Sequence, residues 1–116
     1  MAILSKAHQK ISQKLARLGF LVADEMAFPP YTVDVYIDFY HVAVECDNHW
    51  THLIKSGKIK DAERRQFLLD TYGLPVLSLR DVSRLTTKKI TDFISEWSGD
   101  VDDRRQKYIE AYCRLE

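Results

Sequence analysis

Across 116 residues, 17 Lys and Arg balance 17 Asp and Glu, so a nucleic-acid function would rest on where charges sit and not on net charge. A chain of this length forms one domain that buries roughly 65% of its unfolded surface, enough for a core without staples. Two cysteines without CxxC spacing argue against a disulfide framework or a zinc site, and no apolar run approaches the roughly 20 residues of a membrane span. A reduced, cytoplasmic setting with no membrane partner is expected.

The charges are segregated along the chain. Residues 1–23 hold four basic residues and no acid, 24–54 hold six acids and no Lys or Arg, and 55–65 hold five basic residues against two acids. This order suits a metal pocket flanked by phosphate-binding surfaces, although charges that only cover solvated faces would look similar. The first helix is predicted from about Leu4 to Leu18, ended by Gly19, with Ala7, Ile11, Leu15 and Leu18 as its buried stripe. Lys6, Lys10, Lys14 and Arg17 form a basic ridge that either tracks a phosphate backbone or solvates the helix. A first strand is expected over residues 20–28, turning at Pro29-Pro30, with Asp24 and Glu25 near its end as turn-side acids or further metal ligands.

Residues Thr32 to His52 organise the rest of the chain. Alternation predicts two strands, with Val33, Val35 and Ile37 on one side together with Val42, Val44 and Cys46. A turn centred between Phe39 and Tyr40 makes partner numbers sum to 79, which sets Asp34 opposite Glu45. Like charges opposed on a sheet are unfavourable, so Asp34, Glu45 and Asp47 call for a counter-charge. A divalent cation, Mg²⁺ or Mn²⁺, is the expected one. Paired carboxylates on adjacent strand ends are also what a metal-dependent phosphodiesterase needs, because the ion keeps open positions for a phosphate and a water.

The motifs VDVYID, VAVECDNHWTH and DAERRQFLLDTYGLPVLSL occur in that order between Val33 and Leu79, within a stretch of about residues 5 to 80 that carries a family likeness. Together they resemble the PD-(D/E)XK nuclease superfamily, in the branch of the very-short-patch-repair endonucleases, homing-endonuclease relatives and RAP domains. The resemblance implies metal ligation by Asp34, Glu45 and Asp47. Asp47 stands where the superfamily usually has Lys, so proton transfer falls to another group. His52, seven residues beyond Glu45 as in homing-type relatives, is the first choice and His49 the second. Alternatively the two histidines pack on Trp50, or ligate a transition metal with the carboxylates. Many relatives carry a glutamate on the first helix; here only His8, Gln9 or Gln13 could take that place.

A second helix is predicted over Lys58 to Tyr72, closed by Gly73. At its start Asp61 and Arg64 match the family's D-x-x-R, whose Asp reaches the active site; an ordinary ion pair between the two is the rival reading. Lys58, Lys60 and Arg64 join the first-helix ridge as expected phosphate contacts. After a buried strand, Leu74 to Leu79, two C-terminal helices follow, with Ile90, Phe93, Ile94 and Trp97 on the inner side of one and Val101, Tyr108, Ile109 and Tyr112 on that of the other.

The expected fold is therefore α/β: a mixed four-stranded sheet flanked by helices, a restriction-endonuclease-like core at about 5–80, and a helical extension at about 82–116. The expected function is a Mg²⁺-dependent endodeoxyribonuclease. RNA in place of DNA, a homodimer, a non-catalytic RAP-like nucleic-acid-binding module and a protein-interaction module all remain alternatives.

Overall fold

The computed structural model describes residues 6–46, 55–79 and 82–114, with side chains from His8 in the first helix and from Lys60 in the second. The elements run α1 (Lys6–Arg17), β1 (Val22–Phe28), β2 (Tyr31–Ile37), β3 (Val42–Cys46), α2 (Lys55–Tyr72), β4 (Val76–Leu79), α3 (Thr87–Trp97) and α4 (Val101–Arg114). They build the expected four-stranded mixed sheet flanked by helices, in the order β1-β2-β3-β4. The first two pairings are antiparallel and β3 pairs with β4 in parallel. A parallel pair needs a long crossover, and α2 provides it.

The β2–β3 register is the one the alternation dictates: Val35, Tyr36 and Ile37 pair with Val44, Ala43 and Val42. The sheet is covered on both faces. Ile11 and Leu15 of α1 pack on Val35, Ile37, Val42 and Val44, joined by Ile90 and Ile94 of α3. On the other face, Phe28, Val33, Tyr36 and Ala43 meet Leu68 and Tyr72 of α2 and Ala111 of α4. Val33 therefore leaves the set expected to include Val35 and Ile37. The change of face lies where the β1–β2 ladder skips the step between Asp24–Val35 and Met26–Val33, beside Glu25 of the neighbouring strand, whose φ is +51°. A left-handed residue breaks the two-residue period of its own strand: Val22 packs with the α1-side cluster and Met26 with the α2-side one, and their ladder partners Ile37 and Val33 divide in the same way.

Two helix faces also differ from expectation. His8 is buried on α1, its ring held by Asp24 of β1 at 3.0 Å, while Leu18, just past the end of the helix, is 36% exposed. On α4 the inward residues are Arg104, Tyr108 and Ala111, and Ile109 and Tyr112 face outward.

Arg104 explains why α4 is part of the core and no appendage. Only 4% exposed, it donates to the carbonyls of Tyr40, His41, Gly73 and Trp97 and to the Asp100 carboxylate. His41 and Gly73 lie just before β3 and β4, so one guanidinium ties together the start of the parallel pair. Gly73 makes this approach possible. Its φ is +61°, and a Cβ there would stand 2.5 Å from the Arg104 carbonyl oxygen.

Candidate functional site

The opposite, carboxyl end of the β3–β4 pair holds the candidate site. In open α/β sheets this is where ligands gather, because the strands end there and loops and helix side chains converge. Asp34 stands one step beyond the last β2–β3 ladder pair, level with Glu45, and its Oδ2 accepts the Cys46 backbone N–H at 3.2 Å. Glu45, on the α2 side of the sheet with Ala43, is only 5% exposed.

A buried carboxylate is expensive unless a cation and hydrogen bonds compensate it. Within the chain the compensation comes from Arg64 of α2, whose Nη1 donates to Glu45 Oε2 at 2.9 Å while Nη2 donates to Oε1. Such a two-pronged pairing is the strongest a carboxylate makes with a side chain. The same Nη2 also donates to the Thr32 carbonyl at 2.9 Å, and the guanidinium lies 5.5 Å from the centre of the Tyr31 ring. Arg64, read from the sequence as a phosphate contact, thus points into the site. Asp61 lies one helical turn before it, half-buried. Arg65 reaches Ser78 of β4, the ladder partner of Glu45.

The remaining expected residues divide clearly. Asp47, His49 and His52 lie outside the described residues, as do the side chains of Lys6 and Lys58. Lys10, Arg17 and Lys60 are exposed, and Lys14 is half-buried. Because α1 and α2 cover opposite faces of the sheet, the two basic surfaces flank it on both sides. His8 and Asp24, each considered as an extra ligand, bond to one another.

The donor chemistry fits a hard cation in part. Asp34 and Glu45 are carboxylates at neighbouring register positions, and carboxylate oxygens are the kind Mg²⁺ takes. Among the described residues no three His, Cys, Asp or Glu side chains form a metal-ligand group, so a complete set would need Asp47 or another group beyond them. Glu45 would also have to exchange Arg64 for the ion.

Sequence reasoning missed a second ionisable cluster, at the other end of β3. His41 is fully buried; its Nδ1 accepts from the Tyr36 hydroxyl at 2.7 Å and its Nε2 donates to the Tyr72 carbonyl at 2.8 Å. Burial, aided by the charges of Arg104 and Arg105, pushes the imidazole pKa down to about 4, so His41 is neutral at pH 7. Burial likewise raises the Tyr36 hydroxyl well above its ordinary value. Every polar atom in this cluster has a structural partner, which marks it as a core lock with no free chemistry.

No family model, curated protein or solved structure matches the chain.

Proposed function

We propose that the chain is a metal-dependent endonuclease that hydrolyses phosphodiester bonds in DNA, on a restriction-endonuclease-like core. One observation carries the reading: Asp34 and the buried Glu45 stand level on adjacent strands at the carboxyl end of the parallel pair, a placement that would let two carboxylates share one divalent cation. In this reading Asp34 and Glu45, completed by Asp47, hold Mg²⁺ or Mn²⁺. The ion supplies Lewis-acid polarisation of the phosphate and a more acidic water. His52, with His49 as second choice, accepts the proton, and Asp61 supports the site from α2. Lys10, Lys14 and Arg17 on α1, with Lys60 on α2, hold the phosphate backbone on either side. RNA is the alternative substrate, a homodimer would let one protein cut both strands, and two cysteines far apart in the sequence and without CxxC spacing suit a cytoplasmic setting.

A second reading has its own support. Because Arg64 already neutralises Glu45, the fold stands without metal, as a non-catalytic RAP-like nucleic-acid-binding module requires. The melting temperature separates the two. A ligand that binds only the folded chain stabilises it, so Mg²⁺ or Mn²⁺ should raise Tm, and Asp34→Asn should lessen that gain. An unchanged Tm in the wild-type chain would favour the non-catalytic module, and an undiminished gain in Asp34→Asn would remove Asp34 from the site.

A further inference from the structure

We propose that Arg64 is a built-in counter-cation that competes with the divalent ion for Glu45, so that metal entry releases its guanidinium to a phosphodiester; this rests on the nuclease reading above. Both oxygens of Glu45 are engaged by Arg64, and the carboxylate is almost fully buried. A divalent ion on the same carboxylate would sit beside a fixed positive charge in surroundings where water screens poorly. Either the ion binds weakly or the arginine moves. The guanidinium has the means to move without being lost, because the Thr32 carbonyl and the Tyr31 ring hold it independently of Glu45. Its side chain is 20% exposed against 7% for Glu45, so the arginine side of the pair is the one that meets solvent.

A planar guanidinium fork matches a phosphate as well as it matches a carboxylate. Arg64 therefore has a destination that appears only when nucleic acid is bound. Metal and nucleic acid would then bind with positive coupling, each raising affinity for the other by the same factor. Until the metal enters, the charge stays paired with Glu45, and the site is closed without any lid.

The test is Mn²⁺ binding, read from the electron paramagnetic resonance of the free ion at pH 7, with no cleavage assay. Arg64→Met should bind Mn²⁺ about tenfold more tightly than wild type, as expected from loss of a charge-assisted fork. Arg64→Lys, which keeps a charge without the fork, should be intermediate, and Glu45→Gln/Arg64→Met should lose the site. Should Arg64→Met fail to fold, Arg64→Lys carries the comparison. A phosphorothioate DNA duplex should tighten Mn²⁺ binding to wild type and have little effect on Arg64→Met. Equal Mn²⁺ affinity in wild type and the folded Arg64 variants overturns the competition while leaving the metal site standing. A wild type whose Mn²⁺ affinity ignores the duplex overturns release to the phosphate. Mn²⁺ binding by none of the proteins overturns the nuclease reading and this inference together.

Discussion

Two arginines, one at each end of β3, do opposite things with the same side chain. At the start of the strand, Arg104 donates to four backbone carbonyls and an exposed acid, Asp100. Carbonyls are neutral and fixed in the fold, so no ligand can compete for Arg104 without unfolding what it ties. At the end of the strand, Arg64 holds a carboxylate, a group with a full charge and an affinity for other cations. The contrast teaches that burial of a charged pair does not by itself separate structure from function. The nature of the partner does.

The largest expected effect tests that contrast in stability. Arg104→Met should destabilise by about 3–5 kcal/mol, since it strips buried carbonyls of their donor, and added Mg²⁺ should recover little of it. Arg64→Met strips the buried Glu45 of its guanidinium fork, yet Mg²⁺ should restore much of the loss by taking the vacated place. Urea denaturation of both variants with and without Mg²⁺ checks this. Equal recovery in the two would erase the distinction between them.

A smaller effect comes from His41, packed beside Arg104. Its folded pKa of about 4 lies below the ordinary 6.5, so the unfolded chain takes up a proton that the folded chain refuses. Stability from this group is complete above about pH 6.5 and falls as pH drops toward 4, by roughly 2 kcal/mol at pH 5. His41→Gln should be less stable at pH 7.5 but should lose less than wild type between pH 7.5 and pH 5. Identical losses in the two proteins would place the acid sensitivity elsewhere.

The smallest effect on folding sharpens the outer boundary of the site. Lys10→Ala/Lys14→Ala should leave stability almost unchanged, since Lys10 is exposed and Lys14 half-buried. Binding to DNA should weaken alike for all sequences, and log K should become less steep in log salt by about 0.9 for each phosphate that is no longer neutralised. An unaltered slope would make the α1 ridge a solvated face.

What the sequence disclosed, and what it hid, follows from the same physics. The β2–β3 register was legible because alternation and a short turn leave one pairing that buries Val35, Ile37, Val42 and Val44. The change of face at Val33 was not, because it accompanies a ladder break beside a left-handed Glu25 on the neighbouring strand, a backbone state that side chain does not announce. Arg104 sits in the run Asp102-Asp103-Arg104-Arg105, where nothing distinguishes the buried arginine from the neighbour that bonds the β2–β3 turn at Asp38 and Phe39. Within the candidate site, Asp34 and Glu45 were visible as opposed acids. Their partner was not, because Arg64 lies 19 residues beyond Glu45 and its local neighbour Asp61 offered a nearer pairing.

Phosphodiester hydrolysis at Asp34 and Glu45 is the central claim, and a plasmid assay tests it most directly. Supercoiled plasmid incubated with wild type and Mg²⁺ should be nicked or linearised, with EDTA abolishing the reaction and Asp34→Asn or Glu45→Gln, confirmed as folded, losing it. Plasmid left intact by wild type with either Mg²⁺ or Mn²⁺, or cut equally well by the carboxylate variants, would contradict it.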